Sequence, residues 1–158
     1  MNFAGLNKND FTDGENVCVS LWVQGCPFRC EGCQNPETWD FNGGEPVPTD
    51  LKGQIVKAIS ANEITRNFSI LGGEPLCEEN LDFVLDIITA VRIAYPNIKI
   101  FIWSGYTFDE LLSRKDKRII EILKRANTLI DGRYDKNLRD ITLPLRGSSN
   151  QNIINLDK

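Results

Sequence analysis

The sequence contains no histidine among its 158 residues. This absence excludes Ser-His-Asp and Cys-His catalytic arrangements, HExxH zinc sites and any imidazole general base. Chemistry in this protein must therefore use thiolates, carboxylates, hydroxyls or a bound cofactor.

Long apolar runs and basic clusters are also missing. No stretch is long and apolar enough to cross a membrane, and residues 1–16 are polar and acidic, unlike a secretory signal. We therefore expect a cytoplasmic protein that acts on no membrane. The net charge is −4, and Asp116 interrupts the most basic run, residues 114–118. That run indicates a solvated helix face, so no nucleic-acid partner is expected.

Length and composition are those of an ordinary globular protein. Hydrophobic residues make up 41% and charged residues 25% of the chain, both typical values. A chain of this length fits one domain better than two, so we expect a single domain over residues 1–158. Five cysteines in a cytoplasmic chain indicate metal binding or redox chemistry rather than disulfides.

Apolar periodicity alternates between strand and helix along the chain. It predicts strands at 17–23, 68–71, 98–103 and 128–130, helices at 49–61, 80–94, 107–113 and 116–126, and an extended tail at 141–156. This order predicts an α/β domain with a largely parallel sheet. The carboxyl edge of such a sheet gathers ligand-binding loops. Here those loops are 25–33, 72–75, 104–106 and 131–133.

The first of these loops carries three cysteines, Cys26, Cys30 and Cys33, spaced as C-x3-C-x2-C. Three thiolates can hold three irons of a [4Fe–4S] cluster, whose usual protein site supplies four. The fourth iron is then open to a substrate. Zinc with Cys18 or Cys77 as the fourth ligand, or a thiol redox pair, are the alternatives. Both of these cysteines are better explained as small buried residues.

A second motif, Gly72-Gly73-Glu74-Pro75, follows the second predicted strand. With the cysteine loop it resembles the radical S-adenosylmethionine superfamily. Four segments look like the activating proteins of anaerobic ribonucleoside-triphosphate reductases, and the last of them makes the resemblance specific: 25–39, 103–107, 131–133 and 146–151. Two positions depart from the superfamily pattern. Gly32 stands where many members have an aromatic residue, and Gln34 where many relatives have histidine or tyrosine.

The resemblance implies a reaction. A reduced [4Fe–4S] cluster cleaves S-adenosylmethionine to methionine and a 5′-deoxyadenosyl radical, which takes a hydrogen from a glycine of the reductase large subunit. Flavodoxin is the typical electron donor in such a system. The implied fold is a partial, open parallel β/α barrel, because 158 residues are too few for a closed barrel of about 250.

The resemblance also assigns residues. Cys26, Cys30 and Cys33 would hold the cluster. The carbonyls of Gly72 and Gly73 and the carboxylate of Glu74 would accept hydrogen bonds from the methionine ammonium. A further stretch would contact the adenine through its backbone: Gly32, Cys33 and Gln34.

Other positions are weaker candidates. Ser104 and Tyr106 could touch the ribose or the methionine, or simply form a turn. Asp131 and Arg133 are weaker still, and 146–151 could serve the fold or the reductase surface. Two tryptophans in predicted strands are expected in the core: Trp22 and Trp103.

Two rival functions stay open on the residues alone. The first is activation of another glycyl-radical protein, such as pyruvate formate-lyase, which the cysteine loop does not exclude. The second is a zinc-stabilised adaptor without catalysis.

Overall fold

The computed structural model describes residues 1–157. In this part of the chain the strands are β1 (Asn2–Asp10), β2 (Cys18–Val23), β3 (Glu45–Pro46), β4 (Asn67–Gly72), β5 (Ile100–Trp103), β6 (Thr128–Asp131) and β7 (Asn152–Asn155). The helices are α1 (Leu51–Ile59), α2 (Leu81–Ala94), α3 (Phe108–Ser113) and α4 (Lys117–Arg125). None of these helices is both long and apolar enough to traverse a bilayer.

All seven strands form one mixed sheet in the order β3-β1-β2-β4-β5-β6-β7. The four central strands run parallel, as expected, whereas β1, β3 and β7 pair antiparallel at the edges. Parallel crossovers are right-handed, and these strands follow chain order, so all four helices cover the same face. The result is an α/β architecture with an open, partly parallel sheet.

The four predicted helices and the four predicted central strands are all present, with ends shifted by up to two residues. Thr107 caps α3 in a capping box with Glu110. The N-cap residues of α1 and α2 are Asp50 and Asn80, and neither side chain makes a capping hydrogen bond.

Strand β1, like the two-residue strand β3, is not predicted by periodicity. Its pairing with β2 shifts register between Phe3 and Gly5 and again between Asn7 and Asp10. Among the residues of β1, only Phe3 and Asp10 are buried. Such bulges break the alternation of apolar and polar residues on which a strand prediction depends.

The two faces of the sheet are covered differently. Apolar side chains such as Leu21 and Ile70 pack under the helices. On the opposite face, Ser20 Oγ donates a hydrogen bond to Asp10 Oδ2 at 2.6 Å, and Ser69 Oγ donates to the carbonyl of Asp13. The loop after β1 therefore closes over this second face through polar contacts.

The carboxyl groups of Asp10, at the end of β1, and Asp13, in the loop that follows, are hydrogen-bonded to each other. Burial, then a hydrogen bond to Asp10 and the charge of Asp10, raise the pKa of Asp13 to about 7. The pKa of Asp10 is lowered: burial opposes the shift, but hydrogen bonds from Asp13, Ser20 and Thr12 outweigh it. Below about pH 7 the pair therefore holds one proton, on Asp13.

We predict that Asp13→Asn stabilises the protein at pH 8 and not at pH 5. Between 3.8 and about 7 the folded state binds more protons than the unfolded state, so stability falls as pH rises through this window. The asparagine amide still donates to Asp10 without becoming charged. Thermal unfolding should show a Tm increase of about 2–4 °C at pH 8, equivalent to roughly 1 kcal/mol.

Asp86→Asn, which changes an exposed carboxylate on α2, serves as the control and should show no such contrast. An equal Tm change at both pH values in Asp13→Asn would contradict the shared proton.

Candidate cofactor site

The loops at the carboxyl ends of β2, β4, β5 and β6 meet in one cavity of ≈150 Å³. The lining residues that the sequence singled out are Cys26, Cys30, Cys33, Gln34, Gly72, Gly73, Glu74, Ser104 and Arg133. Parallel strands place their carboxyl ends at one edge, which explains why residues more than a hundred positions apart meet here.

All three loop cysteines are free and half-buried at this cavity. Two backbone hydrogen bonds hold their loop. The Cys26 N–H donates to the Trp39 carbonyl at 3.1 Å, and within the loop the Cys33 N–H donates to the Cys30 carbonyl at 3.1 Å. Within residues 1–157, no three cysteine or carboxylate side chains converge closely enough to hold a single metal ion.

Burial opposes ionisation of the Cys26 and Cys30 thiols, whereas neighbouring backbone N–H groups favour it. Burial raises the pKa of Cys26, while the backbone N–H groups of Phe28 and Arg29 favour its thiolate. Burial likewise raises the pKa of Cys30, which the N–H of Tyr134 counteracts. The thiols of Cys26 and Cys30 are therefore protonated near neutral pH in the metal-free loop, and binding to a metal would release these protons.

The other two cysteines lie outside this cavity. Cys18 is fully buried, with its thiol 3.5 Å from the Glu15 carbonyl. Cys77 is buried beside the Glu74 carbonyl, and burial raises the pKa of its thiol to about 12.

Gly72 and Gly73 bring β4 against the backbone that leads into the cysteine loop. Gly72 has φ +109°, and a Cβ on it would lie 2.7 Å from the Val23 backbone. A Cβ on Gly73 would lie 2.8 Å from the carbonyl carbon of Gly25. The Glu74 N–H donates to the Gly25 carbonyl at 2.8 Å. Both glycines are therefore required by backbone contact alone.

The Glu74 carboxylate is 1% exposed and joins two loops. It accepts hydrogen bonds from the Leu76 N–H at 2.8 Å, from Ser104 Oγ at 2.8 Å and from the Gly105 N–H at 2.6 Å. Burial raises its pKa to about 7 in spite of these donors. Ser104, a weak candidate in the sequence, thus acts first by holding Glu74.

Gln34 and Gly32 occupy different places. The Gln34 side chain lines the cavity together with Cys33. Gly32, with φ +77°, faces the side chains of Lys136 and Tyr134 instead. The structure thus brings Cys33 and Gln34 into the site directly and leaves Gly32 as the turn that lets them reach it.

A second cavity of ≈410 Å³ adjoins the first on the face of the sheet that no helix covers. Trp22 and Trp103 line it and are half-buried, so the expectation that they belong to the core is wrong. Both stand near the ends of their strands on the helix-free face, where no helix packs over them. Gln34, Trp103 and Gln151 line both cavities, so the two cavities share part of their lining.

The segment 146–151 acts as a clip on the loop after β6. Gln151 Nε2 donates to the Gly132 carbonyl at 2.9 Å. Asn150 Nδ2 donates to the Arg133 carbonyl at 2.8 Å. These contacts assign the segment a structural part in the site, which the sequence left open between fold and partner surface.

Two further positions complete the picture. Asp131 accepts hydrogen bonds from the N–H groups of Phe108 and Asn152, so it holds neighbouring segments. Tyr106 packs edge-on against Phe28, with ring centroids 4.7 Å apart. Phe28 escaped sequence reasoning, because only its position between two cysteines marks it.

Comparison with known proteins places this geometry in a family. The 4Fe-4S single cluster domain matches residues 12–154. The chain is 33% identical to the anaerobic ribonucleoside-triphosphate reductase-activating protein of Escherichia coli K12, over 96% of both chains. It is 32% identical to the protein of that name from Haemophilus influenzae, over 96% of both chains. It is 31% identical to that of Enterobacteria phage T4, over 97% of this chain and 93% of the other.

A cavity built from a three-cysteine loop at the carboxyl edge of a parallel sheet, and similarity along almost the whole length of these relatives, lead to one assignment. The chain belongs to the anaerobic ribonucleoside-triphosphate reductase-activating protein family and carries its 4Fe-4S single cluster domain.

Proposed function

We propose that this protein activates an anaerobic ribonucleoside-triphosphate reductase by generating a glycyl radical on its large subunit. A [4Fe–4S] cluster and S-adenosylmethionine are the proposed cofactors. The observation that carries the proposal is the meeting of three free cysteines and the Gly72–Glu74 loop in one cavity. The names of the relatives supply the partner.

The proposed cluster ligands are Cys26, Cys30 and Cys33. Thiolates around one tetrahedral zinc ion stand only ~3.8 Å apart, given a Zn–S distance of about 2.3 Å, whereas an iron cube places each thiolate on a different iron. The C-x3-C-x2-C spacing and the matching 4Fe-4S single cluster domain support the cube over the zinc-stabilised adaptor. The N–H groups beside Cys26 and Cys30 are suited to a cluster, since hydrogen bonds to sulfur tune its potential.

The proposed S-adenosylmethionine site lies between the cysteines and the Gly72–Glu74 loop. The carbonyls of Gly72 and Gly73 are the proposed acceptors for its ammonium group. The Glu74 carboxylate already accepts three hydrogen bonds from its own chain, so its proposed part is to hold the loop that presents these carbonyls. Backbone groups from Gly32 to Gln34 are the proposed adenine contacts.

When bound, cluster and S-adenosylmethionine together supply a 5′-deoxyadenosyl radical by one-electron cleavage of a carbon–sulfur bond. The protein's part is to fix both groups at one edge of the sheet and to leave access for a glycine of the reductase. The sheet is open, and we interpret it as a partial β/α barrel within a single domain. A flavodoxin in the cytoplasm is the proposed electron donor.

We predict that the reduced, iron-loaded protein converts S-adenosylmethionine to 5′-deoxyadenosine. With the reductase large subunit it should also produce the doublet electron paramagnetic resonance (EPR) signal of a glycyl radical. Both are measured under strict exclusion of oxygen. Pyruvate formate-lyase serves as the competing substrate. A radical on pyruvate formate-lyase alone would favour the rival activase, and no 5′-deoxyadenosine at all would refute the proposed reaction.

We predict that replacing Cys26, Cys30 or Cys33 by alanine abolishes cluster assembly, whereas Cys18→Ala or Cys77→Ala preserves it. A cube that loses one of three ligands cannot be held, while the two buried thiols contact only protein. Iron analysis should give about four irons per chain in the second pair only. One equivalent of zinc without iron in the unmodified protein would instead favour the adaptor.

We predict that Gly73→Ala weakens S-adenosylmethionine binding about tenfold or more, without loss of iron. The added Cβ would press on the Gly25 backbone and displace the carbonyls that we propose as ligands, at a cost of roughly 1.4 kcal/mol or more. Equilibrium dialysis of the iron-loaded variant measures this. Gly53→Ala in α1, where a Cβ has nothing within 4 Å, is the control. Unchanged affinity in Gly73→Ala would exclude these carbonyls as ligands.

A further inference from the structure

Arg133 is the one basic side chain among the described residues that line the cysteine cavity. It follows β6 and lines the same cavity as Cys30. The Glu74 carboxylate, the one acidic group there, is already engaged by three donors. The Arg133 guanidinium is therefore the source of positive charge within the lining of this cavity.

The guanidinium of Arg133 is docked onto the cysteine loop. Its Cζ lies 4.3 Å from the centroid of the Phe28 ring, and Phe28 stands between the first two cysteines. The same ring packs edge-on against Tyr106. It also lies so close to Gly105 that a Cβ there would be 2.6 Å from a carbon of the ring. Stacking of this kind holds a guanidinium at a defined place over an aromatic face.

Glu110 fixes the other side of the guanidinium. Its carboxylate accepts hydrogen bonds from Arg133 Nη1 at 3.1 Å and from Nη2 at 3.2 Å. The same carboxylate caps α3 by accepting from the Thr107 N–H at 3.0 Å. The positive charge near the cysteines therefore has a negative partner on its outer side.

The backbone that carries Arg133 is also held. Its carbonyl accepts from Asn150, and the Gly132 carbonyl accepts from Gln151. Because both its backbone and its guanidinium are held, the positive charge of Arg133 keeps its position beside the cysteine loop.

We propose that Arg133 and Glu110 form an opposed pair that sets the reduction potential of the cluster. Reduction by a one-electron donor makes the cluster one unit more negative. A nearby cation favours that state and a nearby anion disfavours it. Arg133 thus raises the potential, and Glu110 limits the rise. This inference rests on the proposed cluster site, and its test separates the two.

The test is an EPR-monitored potentiometric titration of the iron-loaded protein, with dithionite as reductant and without S-adenosylmethionine. Arg133→Gln should shift the midpoint to more negative values and Glu110→Gln to more positive values. Each should change the oxidised-to-reduced ratio about three- to tenfold, which is about 30–60 mV at 59 mV per decade. Glutamine can replace glutamate in a capping box, so α3 keeps its cap.

Lys57→Gln removes an exposed charge on α1, away from the cavities, and should leave the midpoint unchanged. Both Arg133 and Glu110 are partly exposed, with side-chain exposures of 45% and 41%. Their shifts should therefore shrink between about 0.05 M and about 1 M salt, since salt screens exposed charges. Arg133→Lys should recover much of the midpoint, because it restores the charge.

Several results would overturn the inference. Shifts of the same sign in Arg133→Gln and Glu110→Gln would mean that both residues act only through structure. Unchanged midpoints with weaker S-adenosylmethionine binding would make Arg133 a ligand contact instead. If Arg133→Gln fails to assemble a cluster, Glu110→Gln alone still decides by its sign. Failure of the unmodified protein to assemble a four-iron cluster would refute the proposed function itself.

Discussion

The site depends on a backbone contact between two loops that leave room for no side chain. The Gly73 Cα lies against the Gly25 carbonyl, and the Glu74 N–H donates to that same carbonyl. This contact fixes the distance between the Gly72–Glu74 loop and Cys26, which directly follows Gly25. The Glu74 carboxylate then extends the same fixed geometry to Ser104 and Gly105 after the next strand. The edge of the sheet therefore behaves as one rigid unit.

Much of this could be predicted because local patterns dictated it. The four helices were predictable from their apolar periodicity, and the four parallel strands from their short apolar runs. The convergence of their loops followed from sheet geometry alone. The bulged strand β1 and the two-residue strand β3 could not be predicted, since each forms only through pairing with a distant segment. Local sequence carries little trace of such pairing.

The same division applies to the site. The spacing of Cys26, Cys30 and Cys33 is a local signal, and it sufficed to indicate a metal-cluster loop. The docking of Phe28 between Tyr106 and Arg133 is not local, because it joins three loops far apart in the chain. For Trp22 and Trp103, by contrast, the local sequence led to a wrong prediction. Their apolar surroundings suggested core positions, whereas the face they occupy is the one that the helices leave uncovered.

The late position of segment 146–151 in the chain has a consequence for folding during synthesis. Strand β7 and the side chains of Asn150 and Gln151 complete the β6 loop, and they leave the ribosome after every other part of the cavity. Domains fold as units while the chain emerges at about 5–20 residues per second. The cysteine loop therefore emerges before the segment that completes the β6 side of the cavity. Closure of that side must wait until synthesis has passed Asn155.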